Sequence, residues 1–185
     1  MKLTGFIHPV LVMLAMCGGL FALPAVAEEV AVATDPAAMR TPAPIEGTWR
    51  TLTGTEINVQ PCGQDFCGTF SYIVIPAKEA DTCRSMPRDE FAALILDYQN
   101  PSKALQSRQL LGLEALTLTP TDTPDAYDAS IYNAEEGKTY NVQMWVKGDT
   151  LTLAAGCFSS MCAVTQDWPR VPDRDAPDFT CEGGL

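Results

Sequence analysis

Any chemistry in this chain has to be done almost without histidine. The single histidine, His8, lies in an N-terminal stretch built like an export signal. Lys2 supplies the positive start, Val10 to Ala22 is an apolar run, and Ala25-Val26-Ala27 is a small-residue cleavage site. Residues 1–27 are therefore expected to be removed, leaving a mature chain that starts at Glu28. That chain has no Ser-His-Asp or Cys-His nucleophile and no His-ligated metal site. The apolar run is short for a membrane span. Lipidation at Cys17 would place Met16 where lipoprotein signals carry a small residue.

Cysteine is the other reactive type. Beyond the signal there are six, at 62, 67, 83, 157, 162 and 181. An even count in an exported chain reads as a disulfide framework, and the six could be paired in fifteen ways. The spacing favours Cys62–Cys67 and Cys157–Cys162, each across a hairpin end, which leaves Cys83–Cys181. A structural metal site needs reducing conditions and usually C-x₂-C spacing. With the thiols paired, only carboxylates, Lys, Tyr, Ser and Thr remain. No two carboxylates are spaced for acid–base work, and Asp128 and Glu135-Glu136 fit solvated hairpin positions. The expectation is a protein that is not an enzyme and carries no cofactor or metal.

Charge narrows the partners. Removing residues 1–27 takes only Lys2, leaving 11 basic against 23 acidic residues and a net charge of −12. That balance disfavours nucleic acid and anionic membrane surfaces. That leaves a small hydrophobic ligand or another protein as the partner classes of the exported chain.

The elements that would position these residues are short and extended. Residues 28–45, rich in Ala, Pro and Val, read as a flexible leader. Strands are expected at 47–51, 56–60, 67–75, 110–118, 126–132, 138–146, 149–156 and 161–168, with turns at Thr53-Gly54, Gly63-Gln64-Asp65, Asn133 to Gly137 and Lys147-Gly148-Asp149. Phe70, Tyr72 and Val74 share one expected face; Tyr140, Val142, Met144 and Val146 share another. Pro87-Arg88-Asp89-Glu90 followed by Phe91 to Leu96 suits a short helix. Segment 76–109 reads as a packed connection or a lid. After Arg170, residues 172–185 form a polar, Pro-rich tail tied down by Cys181.

Eight antiparallel strands in sequence can close into a barrel that removes exposed edges. A barrel of that size is filled by side chains or holds one small ligand. Phe70, Tyr72, Tyr127, Tyr140 and Met144 fall on the faces assigned inward, as core or as ligand lining. Arg108, beside Leu110-Leu111, is either a structural ion pair with Asp97 or an anchor for a ligand carboxylate at the barrel mouth, since guanidinium grips carboxylates bidentately.

Gly47-Thr48-Trp49 resembles the G-x-W that opens the lipocalin barrel, where a late basic side chain packs over the Trp ring. Arg170 is placed to do this. The wider pattern runs Gly47-x-Trp49, Cys62-Gly63-x-x-Phe66-Cys67-Gly68, Asp97-x-x-Asn100-Pro101, Ser107-Arg108-x-Leu110-Leu111-Gly112-Leu113, Ile131-Tyr132-Asn133, Gly137-Lys138-Thr139-Tyr140, Gly156-Cys157 and Gln166-x-Trp168-x-Arg170. It is similar to a proteobacterial periplasmic family classed as a domain of unknown function, over about residues 46–171. The resemblance implies an all-β fold, an eight-stranded antiparallel lipocalin-like (calycin) barrel with one short helix after strand three. It brings no catalytic residues. Gln109 departs from the pattern, which has Pro there, and Cys83 and Cys181 look like additions. Two functions follow as expectations: a periplasmic binding module for a small hydrophobic or amphipathic ligand, or a non-enzymatic structural or protein-interaction barrel with a filled interior.

Overall fold

The computed structural model describes residues 40–158 and 161–181; the expected signal peptide, most of the leader and the last four residues of the tail lie outside the described residues. Eight strands follow the polar–apolar alternation closely: β1 (Gly47–Arg50), β2 (Glu56–Cys62), β3 (Asp65–Val74), β4 (Glu114–Pro120), β5 (Ala126–Asn133), β6 (Lys138–Lys147), β7 (Thr150–Phe158) and β8 (Met161–Val171). Each pairs antiparallel with its neighbours. β1 meets both β2 and β8, and β2 meets β3, so the sheet closes on itself as a barrel.

The alternation breaks in one instructive place. Ile57 pairs with Phe70 but Glu56 pairs with Tyr72, so Ser71 is an extra residue, a β-bulge. A bulge flips the side-chain faces beyond it. Phe70 is buried in the main core, but past the bulge Ile73, not Tyr72, turns toward the apolar clusters. Phe70, Tyr72 and Val74 therefore do not share a face. Gly68 sits at the tightest part of the sheet. A Cβ there would come within 2.6 Å of Ile57 Cγ2 and 2.9 Å of Leu116 Cβ.

Between β3 and β4 the chain makes two helices where one was expected, α1 (Ala77–Ser85) and α2 (Arg88–Ala92). Both follow a proline, Pro76 and Pro87, which suits a first turn that needs no N–H. Residues 110–113, expected in a strand, turn instead and deliver the chain to β4 at Glu114. The tail is more than a tethered coil. β9 (Asp178–Thr180) adds to β3 in parallel, and Phe179 is buried beside Phe91, Ile75, Ile95 and Cys83. Ile73 and Leu110 touch this cluster and the barrel core, joining the two.

Disulfides join Cys62 to Cys67, Cys83 to Cys181 and Cys157 to Cys162. The long one fastens α1 to the residue after β9. The end of the expected leader is packed rather than loose: Ile45 is fully buried and its carbonyl accepts from Trp49 Nε1 at 2.8 Å.

Closure is not uniform along the barrel. β6 pairs with β7 only from Gln143↔Ala154 to Lys147↔Thr150, and β8 pairs with β1 only at Arg170 and Val171. Beyond these points β7 and β8 continue as a two-stranded ribbon, paired to each other up to Phe158↔Met161.

Candidate functional site

At the barrel base Trp49 is fully buried, and the Arg170 guanidinium lies 4.1 Å from its ring centroid. Arg170 also donates to the Pro44 and Glu46 carbonyls and meets Asp149 at 3.3 Å. One side chain thus ties the incoming chain, β1 and the β6–β7 turn together.

Above Trp49 the inward-facing side chains pack into one cluster. Ile57, Val59, Phe70, Leu116, Leu118, Tyr127, Met144, Leu151 and Trp168 belong to it. Phe66 meets Tyr127 edge-on at 5.9 Å between centroids. Three residues anticipated as core or ligand lining, Phe70, Tyr127 and Met144, are buried members of this cluster. Burial pushes the Tyr127 phenol up, and Asp125 and Glu46 add to that.

The other three anticipated residues separate. Tyr140 is exposed near the β5–β6 hairpin and donates to Glu136 Oε2 at 2.6 Å. This bond draws the Glu136 carboxyl down and the Tyr140 phenol up. Tyr72, turned away by the Ser71 bulge, lies beneath Arg174, whose guanidinium is 3.7 Å from the ring centroid. Arg108 is committed to Asp97.

That last pair anchors a buried network at the barrel mouth. Asp97 is 0% exposed. It accepts from Tyr132 Oη at 2.6 Å on Oδ1, and from Arg108 Nε at 2.8 Å and Asn100 Nδ2 at 2.9 Å on Oδ2. Asn100 also donates to Tyr132 Oη, and Arg108 stands over the Tyr132 ring at 5.3 Å. Burial raises the Tyr132 phenol, and its bond to Asp97 raises it further. Gly137 makes the contact possible: a Cβ there would lie 1.9 Å from the Gln99 carbonyl oxygen. Arg108 Nε is thus committed to Asp97 while the rest of its guanidinium reaches the surface, and Ile95, Asp97 and Asn100 are the buried points that fix segment 93–113. Asp97-x-x-Asn100, Arg108, Tyr132 and Gly137 were visible as motifs, and the network is what they have in common.

A second buried carboxylate gave no sequence signal. Glu56, 1% exposed, accepts from Arg174 Nε at 2.6 Å and Arg50 Nη2 at 2.8 Å. Burial alone would push its carboxyl up, but Arg174 and then Arg50 outweigh this and hold it below the usual range. Asp173 accepts from Thr48 Oγ1 at 2.7 Å, so the tail is docked along β1 and β2. The Arg88–Asp178 ion pair fixes its far end. The Ser71 hydroxyl at the bulge is buried without a hydrogen-bond partner, a cost of about 1–3 kcal/mol. Among the described residues no cluster of three or more His, Cys, Asp and Glu is placed to hold a metal.

The open volume is elsewhere. Where β6 and β7 part, a cleft of about 460 Å³ is lined by Asn141, Val142, Gln143, Ala154, Gly156 and Cys157, with Thr119, Asp128 and Ser130 on the neighbouring strands. Its walls are small side chains, polar and apolar in about equal measure, and Asp128 is the ionisable group among them.

A closed eight-stranded barrel, sealed at its base by a Trp under an Arg, is a lipocalin-like barrel. A solved structure titled "Protein HP1028 from the human pathogen Helicobacter pylori belongs to the lipocalin family" matches it with a TM-score of 0.51 at 19% identity, covering 71% of this chain and 86% of that one. This likeness shows the fold. The chain belongs to the family described as "Uncharacterized protein conserved in bacteria (DUF2147)", matched over residues 47–170. No curated protein matches the chain.

Proposed function

We propose that this protein is a non-enzymatic barrel of the bacterial envelope, exported to the periplasm, whose working surface is its outside. The observation that supports this reading is the buried cluster inside the barrel, in which Trp49, Ile57, Leu116, Leu118, Met144 and Leu151 are all but fully buried. Ligand-binding barrels keep an apolar cavity of about 300–1,000 Å³ with a few placed polar groups. Here Tyr127, which would line one, meets Phe66 edge-on within the barrel cluster. The carboxylates in buried settings, Asp97 and Glu56, are each neutralised by arginine and hydrogen bonds, the arrangement of structural rather than reactive acids. The disulfides and the N-terminal stretch up to Ala27 support export.

A second reading is a small amphipathic ligand held in the β6–β7 cleft, favoured by that cleft's volume in a lipocalin-like barrel. Titration of the mature protein with an environment-sensitive hydrophobic dye separates the two. Absence of saturable binding fits the filled barrel. Saturable binding displaced by fatty acid, and left unchanged by Gln143→Trp in the cleft, would put a ligand in the axis and overturn it. Saturable binding abolished by Gln143→Trp would favour the cleft. Intact mass of the exported protein checks the compartment, with a chain starting at Glu28 expected.

A further inference from the structure

The β7–β8 ribbon has a property the rest of the surface lacks. From Thr150 to Gln166 there is no Asp, Glu, Lys or Arg, in a chain with 35 such residues and a net charge of −11. Natural edge strands are guarded against pairing by charges, prolines or cover. Among the described residues this ribbon has none of these along β8 from Met161 to Gln166, because β1 reaches β8 only at Arg170; the first charge on the edge is Asp167, whose Oδ1 accepts from Thr152 Oγ1 at 2.7 Å. The unpaired edge, Met161 to Trp168, is eight residues long, about 26 Å at 3.3 Å per residue. Its tip is apolar and open: Phe158 is 83% exposed and Met161, its cross-strand partner, 75%. Val164 is also exposed. The Cys157–Cys162 disulfide ties the strands together just below the tip.

We infer that the β8 edge from Met161 to Asp167 pairs antiparallel with the same edge of a second copy of this chain about a two-fold axis at Val164, so that Val164 faces its own mate and Asp167 faces Met161, forming a dimer with a sheet continuous across it. A strand paired antiparallel with itself about a two-fold axis satisfies both edges at once, which makes the contact closed and self-limiting. Charge selects the occupant. Two copies of an acidic protein repel over most of their surface, and the uncharged ribbon is where they can meet without opposing like charges. Pairing would supply partners to the free backbone groups of β8 and cover Val164, Met161 and Phe158. The inference stands on the ribbon alone and does not depend on whether the axis or the cleft takes a ligand.

Sedimentation and hydrogen exchange on the mature, oxidised protein test it. A reversible monomer–dimer equilibrium is expected, with amide protection over residues 161–167 rising as concentration rises. Val164→Lys places an ammonium group against its two-fold mate and should weaken association at least tenfold while leaving thermal unfolding of the monomer in place. A wild-type protein that stays monomeric overturns the inference, even if some other protein is later found on this edge. So does a dimer whose protection maps away from β8. Should the lysine variant fail to fold, the wild-type exchange map decides alone.

Discussion

Removing the Asp97 carboxylate tests the reading of the mouth as a packed wall. Asp97→Ala deletes the acceptor of three side-chain hydrogen bonds. The NH₂ of buried Asn100 keeps only Tyr132 Oη, while Arg108, 33% exposed, can turn toward water. Breaking a buried pair by removing one partner costs about 3–5 kcal/mol, and the access of Arg108 to solvent places this case near 4 kcal/mol. Asp97→Asn is different. Its amide can turn so that the carbonyl takes the Oδ2 position, accepting from Arg108 and Asn100, while the NH₂ donates to Tyr132 Oη. What is lost is charge assistance and the acceptor of the Tyr132 O–H, together about 2 kcal/mol. Urea unfolding followed by tryptophan fluorescence, with disulfides intact and m unchanged, reads both values. In thermal scans the alanine variant should melt roughly 12–16 °C lower, at about 3–4 °C per kcal/mol. If Asp97→Ala stays within about 1 kcal/mol of wild type, the network is not holding segment 93–113, and a movable lid returns as the better description. If asparagine costs as much as alanine, the charge itself rather than the set of hydrogen bonds does the holding.

Three further outcomes follow from other sites. Arg170→Ala should lose about 2 kcal/mol through the ring contact with Trp49 and the two carbonyls it leaves unpaired, read by denaturant unfolding. Gly137→Ala should cost more than the roughly 1–2 kcal/mol of a left-handed alanine, because its methyl must displace the Gln99 carbonyl; the same assay checks this, and a smaller loss would show that the hairpin and residue 99 part easily. The Glu56 carboxyl sits lower in the folded than in the unfolded chain, so its stabilisation is present above the ordinary glutamate value near pH 4.3 and fades as pH falls through the depressed folded value. Wild-type stability should therefore drop below about pH 4, and Glu56→Gln should be weaker at neutral pH yet show a flatter acid limb in pH-dependent unfolding. An acid limb identical to wild type would mean that other carboxylates carry it.

What the sequence determined is what local pattern and covalent spacing determine. Period-two alternation located all eight barrel strands to within a few residues, because a half-buried strand must alternate to present one face to the core. Gly47-x-Trp49 with a late Arg170 marked the sealed base. Cysteines five apart marked hairpin ends. The tertiary structure decided the rest. The extra residue at Ser71 is a property of two strands in register, not of one, so it could not be seen in β3, yet it turns Tyr72 away from the core and onto Arg174. Phe179 found its place only when β9 joined β3, a pairing across about a hundred residues that no local signal encodes. The Arg108–Asp97 pair was one of two readings the sequence left open, but that Tyr132 and Asn100 join it in one buried network was visible only in the tertiary structure. Whether the barrel axis is empty or full is likewise decided by volumes meeting from opposite walls. Each strand supplies half of that contact, and no strand carries the sum.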